Sequence, residues 1–372
     1  MRQTDTGTRI VASITATVLD QPRSMDRLRP VRIWLYAVAA LVLLMVVIGG
    51  ATRLTESGLS ITSWKPIAGA LPPLSDADWQ AEFDAYKQIP QYTVNNRWMS
   101  LEDFKGIFWW EWAHRLLGRV IGFAFAVPFL LFLAQKRFSW NLAAPLAVLF
   151  VLGGFQGALG WWMVSSGLSE LTSVSQYRLA AHLSAAAVLF IALIWVARRL
   201  GPVGELGGVT RQTRRFIAVL LLLVLLQIAA GAFVAGLDAG MAYNTWPLMD
   251  GALIPTGLNS IDPFWRNLFE NALTVQFQHR MIAYAIVIYA GVLTVRQASA
   301  TGLAGVHRWL LVIGGLILVQ VTLGILTVLF MVPIDLALAH QLCAFLLLGA
   351  VTAYLADIVP RQTETATSAT VS

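Results

Sequence analysis

A short segment of the chain, FWWEWAHRLLGRVIG at positions 108–122, carries four ionisable side chains in an apolar, aromatic setting. Glu111 and His114 are three residues apart, so they share one face of a helix. Arg115 and Arg119 complete the set. Imidazole is a common metal ligand, and a carboxylate can act as a general base or stabilise positive charge. Because ionisable groups in an apolar span are unfavourable, we expect this segment to have a chemical function.

The chain around this segment has the composition of a multi-span membrane protein. Of its 372 residues, 57% are hydrophobic and 12% are charged, whereas about a quarter of an ordinary soluble domain is charged. Apolar stretches long enough to cross a bilayer as helices predict an all-α integral membrane protein with eight transmembrane helices. These predicted spans 1 to 8 are 31–51, 107–134, 142–164, 176–199, 213–237, 270–296, 306–331 and 334–357.

Charge in the connections predicts the orientation. Arginine and lysine concentrate in the N-terminal segment 1–30 and after spans 2, 4 and 6, whereas the outer loops 52–106 and 238–269 are acidic or mixed. The positive-inside rule then places both termini in the cytoplasm, and we expect a bacterial plasma membrane. The net charge of +6 reflects this bias and gives no case for nucleic-acid binding. Residues 358–372 are expected to be a disordered cytoplasmic tail.

An internal repeat predicts how the spans are organised. SGLSITSWKPIAGALPP at 57–73 aligns without a gap with AGMAYNTWPLMDGALIP at 239–255, and QGALG at 156–160 resembles QVTLG at 320–324. A duplicated four-helix unit is therefore predicted. Four crossings are an even number, so the two parallel-repeat four-helix bundles would be related by a pseudo-twofold axis along the membrane normal. The bundles would cover residues 31–199 and 200–357.

The histidines follow the same repeat. His114 and His279 lie on the second span of each half. His182 and His340 lie on the fourth span of each half. Two imidazoles at matched depth in one bundle suit six-coordinate ligation of a haem iron, although a lone intramembrane histidine can instead serve as an interhelical hydrogen-bonding group. The fifth histidine, His307, stands beside a cytoplasmic turn and is expected to be a solvated loop residue.

Other metal sites suit the pattern less well. Each half offers two ring nitrogens and no thiolate, which argues against zinc, and the only cysteine, Cys343, is in span 8. The Glu-x-x-His spacing of di-iron carboxylate bundles occurs once instead of twice. Small residues would leave room for a flat macrocycle between the helices. They include Gly118, Gly122, Gly153, Gly154, Gly157 and Gly160.

One sequence difference distinguishes the two halves of the repeat. In the segment VQFQHRM at 275–281, the position of Glu111 is taken by Gln276, while His-Arg is kept in both halves. We expect a permanent haem in the second half and a haem-like substrate in the first, where Glu111 would act as general base or stabilise a cationic species. The alternative is a structural pair of Glu111 with Arg115 or Arg53. Candidate partners for haem propionates are Arg115, Arg119 and Arg280.

A family resemblance rests on several of these segments together. GGATRLTESGLSITSWKPIAGALPP, EWAHRLLGR, AYNTWPLMDGALIP, QFQHR and ALAHQ resemble haem A synthases, multi-span enzymes of cytochrome oxidase cofactor assembly. The resemblance implies oxidation of the C8 methyl group of haem O to a formyl group, with oxygen derived from water. It also implies haem b between His279 and His340, substrate haem between His114 and His182, and Glu111 as the catalytic glutamate.

The resemblance is to the class that lacks a cysteine pair in the first outer loop, because loop 52–106 contains no cysteine. It implies haem O synthase and cytochrome oxidase assembly proteins as partners besides the lipid bilayer, and it is compatible with a homo-oligomer. A di-haem b-type cytochrome that relays electrons to or from quinone would also explain the four histidines, but it leaves the exchange of Glu111 for Gln276 unexplained. A haem or solute transporter fits less well, because no span is broken at mid-membrane.

Overall fold

The computed structural model describes residues 22–65, 67–169, 171–202, 209–301 and 307–360. The predictions for residues 1–21 and for the tail at 361–372 lie outside the described residues. The described part of the chain is all-helical, and eight of its helices are long and apolar enough to cross a membrane, as predicted. These are α1 (Pro22–Leu54), α2 (Leu101–Ala134), α3 (Trp140–Val164), α4 (Gln176–Arg199), α5 (Arg211–Gly236), α6 (Ala272–Thr301), α7 (Arg308–Leu329) and α8 (Ile334–Ile358).

One predicted helix start differs from the observed one because a polar cap sets the beginning of the helix. Helix α2 starts at Leu101, before the apolar run at 107, because Ser100 and Asp103 form a capping box. The Ser100 hydroxyl accepts the backbone N–H of Asp103, and the Asp103 carboxylate accepts the backbone N–H of Ser100. A capping box satisfies amide groups that the first helical turn leaves without partners. This longer α2 extends beyond the apolar span into the outer loop.

Helix packing follows one pattern in the first four helices and repeats it in the last four. Helix α1 packs on α2 and α4, and α3 packs on α2 and α4. The corresponding contacts join α5 to α6 and α8, and α7 to α6 and α8. Contacts between the two sets of helices run from α4 to α5 and α8, and from α1 to α8. The ion pair of Arg198 with Asp357 joins α4 to α8.

Close backbone approach marks two of the contacts between the sets. A Cβ atom at Gly50 of α1 would lie 2.3 Å from Oε1 of Gln341 on α8. A Cβ atom at Gly236 of α5 would lie 2.6 Å from Cβ of Gln176 on α4. Small residues at such crossings let membrane helices pack closely by van der Waals contact.

The loop between α1 and α2 has an apolar core of its own. It contains short helices at Asp76–Tyr86 and Pro90–Val94 and packs its rings against the beginning of α2. Phe83, Tyr86 and Phe104 are buried there, with ring centroids of Phe83 and Phe104 5.1 Å apart. The loop therefore holds a fixed position above α2, the helix that carries Glu111 and His114.

Candidate haem site

His279 and His340 face each other between α6 and α8. Their ring centroids are 6.4 Å apart, and the Nδ1 atoms of both rings are buried without a hydrogen-bond partner among the described residues. A metal–imidazole bond is about 2 Å long, and the ring centroid lies roughly 1.2 Å beyond the bonded nitrogen. Two imidazoles on opposite sides of one iron would therefore have ring centroids about 6.4 Å apart. The separation and the unsatisfied ring nitrogens therefore fit two axial ligands of one iron. No group of three or more His, Cys, Asp or Glu side chains in the described residues could hold a metal ion by itself.

A glycine on the preceding helix lies against each of the four predicted histidine ligands. The imidazole therefore packs directly on a helix backbone, and any side chain at the glycine would push the ring. A Cβ atom would lie 3.2 Å from His114 at Gly49, 3.1 Å from His182 at Gly160, 3.1 Å from His279 at Gly231 and 2.9 Å from His340 at Gly324.

The glycines predicted to leave room for a macrocycle have different surroundings, and one of them faces a histidine. Gly160 contacts His182, and a Cβ atom at Gly118 would lie 3.6 Å from Cε of Met45. A Cβ atom at the remaining glycines of that set would meet no heavy atom within 4 Å; they are Gly122, Gly153, Gly154 and Gly157. Gly49 and Gly231 were not among the predicted positions, although the two glycines align with each other in the repeat.

Three of the histidines also contact a glutamine amide that lies one helical turn before the glycine. Nε2 of Gln156 lies 3.1 Å from Nδ1 of His182. Nε2 of Gln227 lies 3.2 Å from Nε2 of His279, and Nε2 of Gln320 lies 3.3 Å from Nε2 of His340. A group that hydrogen-bonds a ligand histidine fixes the orientation of its ring. The signal for Gln156 and Gln320 is present in QGALG and QVTLG, but the sequence does not assign these glutamines to histidines.

The histidines of the first half lie within electrostatic range of each other, on α2 and α4. The fifth histidine, His307, is separate from these pairs, but the prediction that it is solvated is wrong. Its ring packs on Tyr354 with a centroid distance of 6.0 Å, and its Nε2 atom is buried. The residue stands immediately before α7, where the aromatic ring of Tyr354 on α8 covers it.

Glu111 is buried, with 2% of its surface exposed, and both of its oxygens accept hydrogen bonds. The Ser60 hydroxyl donates at 2.8 Å and the Ile61 amide at 2.7 Å to Oε2. The Arg115 guanidinium donates to Oε1 at 3.0 and 2.6 Å. The expected structural pair with Arg115 is therefore present, whereas Arg53 pairs with Asp238 at 2.9 Å. The four hydrogen bonds hold the Glu111 carboxylate in one position.

Arg115 and Arg280 bind equivalent backbone carbonyls, one set in loop 52–106 and the other in loop 238–269. Arg115 donates to the carbonyls of Ile61 and Ser63 at 2.7 and 2.9 Å. Arg280 donates to the carbonyls at the aligned positions, which are Tyr243 and Thr245, at 3.0 and 2.8 Å. Arg119 likewise donates to the carbonyl of Lys65 at 2.9 Å. All three predicted propionate partners thus hold loop backbone in place.

Gln276, which aligns with Glu111 in the second half, has different hydrogen-bond partners. Gln276 is also 2% exposed, and its amide donates to the Tyr243 carbonyl at 3.1 Å. Its Oε1 atom is buried without a partner among the described residues. Ser60, which donates to Glu111, aligns with Ala242, which has no hydroxyl. Ser60 was not among the predicted site residues, although the aligned loop segments contain this difference.

A substitution at Gly324 tests whether the glycines position the histidines. In Gly324→Ala, the new methyl group would lie 2.9 Å from Cε1 of His340, so the ring must move. We expect less haem in the purified protein and a changed visible spectrum of what remains. Gly314→Ala on the same helix meets no heavy atom within 4 Å and should leave both unchanged. Equal haem content in the two variants would show that the close contact does not position His340.

Eight long apolar helices in the described part of the chain define this molecule as a multi-span membrane protein, and paired histidines lie between them. Residues 32–352 match the family described as cytochrome oxidase assembly protein. The haem A synthase of Azorhizobium caulinodans is 58% identical over 336 residues, covering 90% of this chain and 95% of the relative. The haem A synthase of Parvibaculum lavamentivorans is 54% identical over 316 residues, covering 85% and 90%. The chain belongs to the haem A synthase family of cytochrome oxidase assembly proteins.

Proposed function

We propose that this chain oxidises the C8 methyl group of haem O to a formyl group and so produces haem A for cytochrome oxidase. The single observation that carries the proposal is the identity of 58% to a haem A synthase over nine-tenths of the chain. The reaction would take place in a bacterial plasma membrane, with haem O supplied by a haem O synthase. Cytochrome oxidase assembly proteins would receive the product.

The arrangement we propose is two parallel four-helix bundles, α1–α4 and α5–α8, with both termini in the cytoplasm. The matched helix contacts in the two sets support it, as do the matched arginine contacts to the outer loops. The glycine that faces each of the four histidines is a third repeated feature. A duplication accounts for all three, because each would be inherited with the ancestral unit.

The C-terminal bundle would hold haem b, with His279 and His340 as axial ligands. The ring separation of 6.4 Å and the unsatisfied Nδ1 atoms support this assignment. When bound, haem b would supply one-electron transfer. The protein contributes the ring orientation, through Gln227 and Gln320, and an apolar environment that excludes water.

The N-terminal bundle would bind the substrate haem O through His114 and His182. Glu111 lies one turn before His114 on the same helix, and its carboxylate is fixed by Ser60, Ile61 and Arg115. A preorganised anion of this kind stabilises positive charge that develops on a substrate. Glu111 can accept a proton only by giving up one of its donors, so its first role would be electrostatic.

Arg115 and Arg280, which follow His114 and His279 in the sequence, would differ in whether they bind a haem propionate. Arg115 is paired with Glu111, whereas Arg280 has no carboxylate partner among the described residues and binds carbonyls alone. The second half therefore has one more uncompensated positive charge at this depth. A propionate carboxylate would compensate that charge, which makes Arg280 a better propionate partner than Arg115.

Expression with a haem O synthase tests the proposed function. Haems are extracted from membranes with and without this chain and identified by chromatography and mass. We expect a formylated haem only when the chain is present. Recovery of haem b and haem O alone, from a chain that is made and binds haem, would instead support the di-haem b-type cytochrome. That alternative leaves two differences between the halves without a reason, Glu111 against Gln276 and Ser60 against Ala242.

A further inference from the structure

The glutamine contacts are present at three of the four histidines and absent at the fourth. Gln156, Gln227 and Gln320 each stand four residues before the glycine that faces a histidine. The fourth facing glycine is Gly49 on α1, and the residue four positions before it is Met45. A thioether cannot donate a hydrogen bond and accepts one only weakly, whereas an amide has both a donor and an acceptor for the imidazole ring. The imidazole of His114 has no hydrogen bond within the described part of the chain, in contrast to the other three.

Two of the three amides hold both the ring and the backbone of their histidines. Besides the ring nitrogen, the amide of Gln156 donates to the His182 carbonyl at 2.8 Å. The amide of Gln227 donates to the His279 carbonyl at 3.0 Å. The glutamine therefore fixes the ring relative to its own helix, and the facing glycine limits movement on the other side.

The orientation of the His114 ring also differs from that of the three histidine rings that contact a glutamine. The atom nearest to the facing glycine is Cε1 in His182, His279 and His340. In His114 the nearest atoms are Nε2 at 3.2 Å and Cδ2 at 3.5 Å. The ring that lacks an amide is thus turned about its side-chain bonds relative to the three that have one, and its Nε2 atom points at α1.

We propose that His114 is the exchangeable axial ligand, through which the substrate haem enters and the product haem leaves, and that Met45 keeps it exchangeable. Gln156, Gln227 and Gln320 are positioning residues that hold the other three ligands. This inference rests on the proposed function, because only a site that turns over needs to release its haem. A resident haem in the C-terminal half is held by two fixed histidines, whereas the N-terminal site has one fixed and one mobile ligand.

Carbon monoxide binding to the dithionite-reduced protein measures this difference. Carbon monoxide must displace an axial histidine, so at saturating gas the rate of the spectral change reports how fast that ligand leaves. We expect two phases in the unmodified chain, a fast one from the N-terminal haem and a slow or absent one from the C-terminal haem. The readout needs bound haem but no haem A production, so failure of the proposed activity would not be mistaken for failure of this inference.

Placing glutamine at position 45, or methionine at position 227, should change the rate of the carbon monoxide phase of that half. Met45→Gln should slow the fast phase about tenfold, the factor that corresponds to the ~1.4 kcal/mol of one hydrogen bond. Gln227→Met should accelerate the slow phase and lower haem retention during purification. Met45→Leu should leave the fast phase unchanged, because leucine also lacks a donor. Gln278→Met is the matched control, since Gln278 neighbours His279 but donates to the Leu268 carbonyl.

The inference is overturned if Met45→Gln leaves the fast phase at its original rate, or if both exchanges alter the same phase. A changed rate in Met45→Leu would also overturn it, because the thioether itself would then be acting. Haem content and the oxidised spectrum of each variant show whether it folds. A Met45→Gln chain without haem is replaced by Met45→Asn, whose shorter amide should slow the phase less.

Discussion

Glu111→Gln should abolish haem A production while the protein keeps its haems. The fold tolerates glutamine here, because Gln276 occupies the equivalent position next to Arg280 with the same 2% exposure. Arg115 would keep its bonds to the Ile61 and Ser63 carbonyls, so the outer loop stays in place. What is lost is the negative charge, and loss of a group that stabilises charge or moves a proton lowers turnover by about 10²-fold or more. Haem O should accumulate in the extracted haems.

The matched control is Gln276→Glu in the second half. It places a carboxylate beside Arg280, which has no acidic partner among the described residues, and we expect haem A production to continue. Ser60→Ala provides an intermediate case, because it removes one of the four donors to Glu111 and leaves the carboxylate. A reduced but measurable haem A output is expected. Normal output from Glu111→Gln would reduce Glu111 to a structural partner of Arg115.

His279→Ala or His340→Ala should remove the resident haem b signal. Each substitution deletes one of two rings whose centroids are 6.4 Å apart, and a single remaining imidazole cannot give six-coordinate iron. We expect loss of the bis-histidine spectrum and of haem A production, because electrons could no longer leave the substrate site. The measurement is the visible spectrum of the purified, reduced protein together with its extracted haem b.

His307→Ala is the control for that experiment. His307 is also a partly buried histidine, but it packs on Tyr354 at the beginning of α7 and lies apart from the facing pair. Its removal should leave the haem spectrum unchanged. Retention of a normal bis-histidine spectrum in both His279→Ala and His340→Ala would refute the ligand assignment.

The membrane helices could be predicted from the sequence because hydropathy alone determines them. Span 4 was placed at 176–199, and α4 is Gln176–Arg199. The ends were less accurate where a cap sets them, as at Ser100, because capping extends a helix past its apolar part. The exchange of Glu111 for Gln276 could also be found, since it needs only the aligned repeat.

The contacts inside the site could not be predicted, for a physical reason. Arg115 and Arg280 bind backbone carbonyls, and every residue has a carbonyl, so the sequence does not identify the acceptor. The propionate assignment was the natural expectation for an arginine next to a ligand histidine. The glutamine contacts likewise depend on how one helix turns relative to the next, and helix packing sets that rotation.

The central claim is that the two halves hold different haems and that only the first performs chemistry. It is tested most directly by the haem composition of two double variants, expressed with a haem O synthase. Glu111→Gln with His279→Ala should retain haem O and lose haem b. Glu111→Gln with His114→Ala should retain haem b and lose haem O. Loss of the same haem from both variants would contradict the division between the halves.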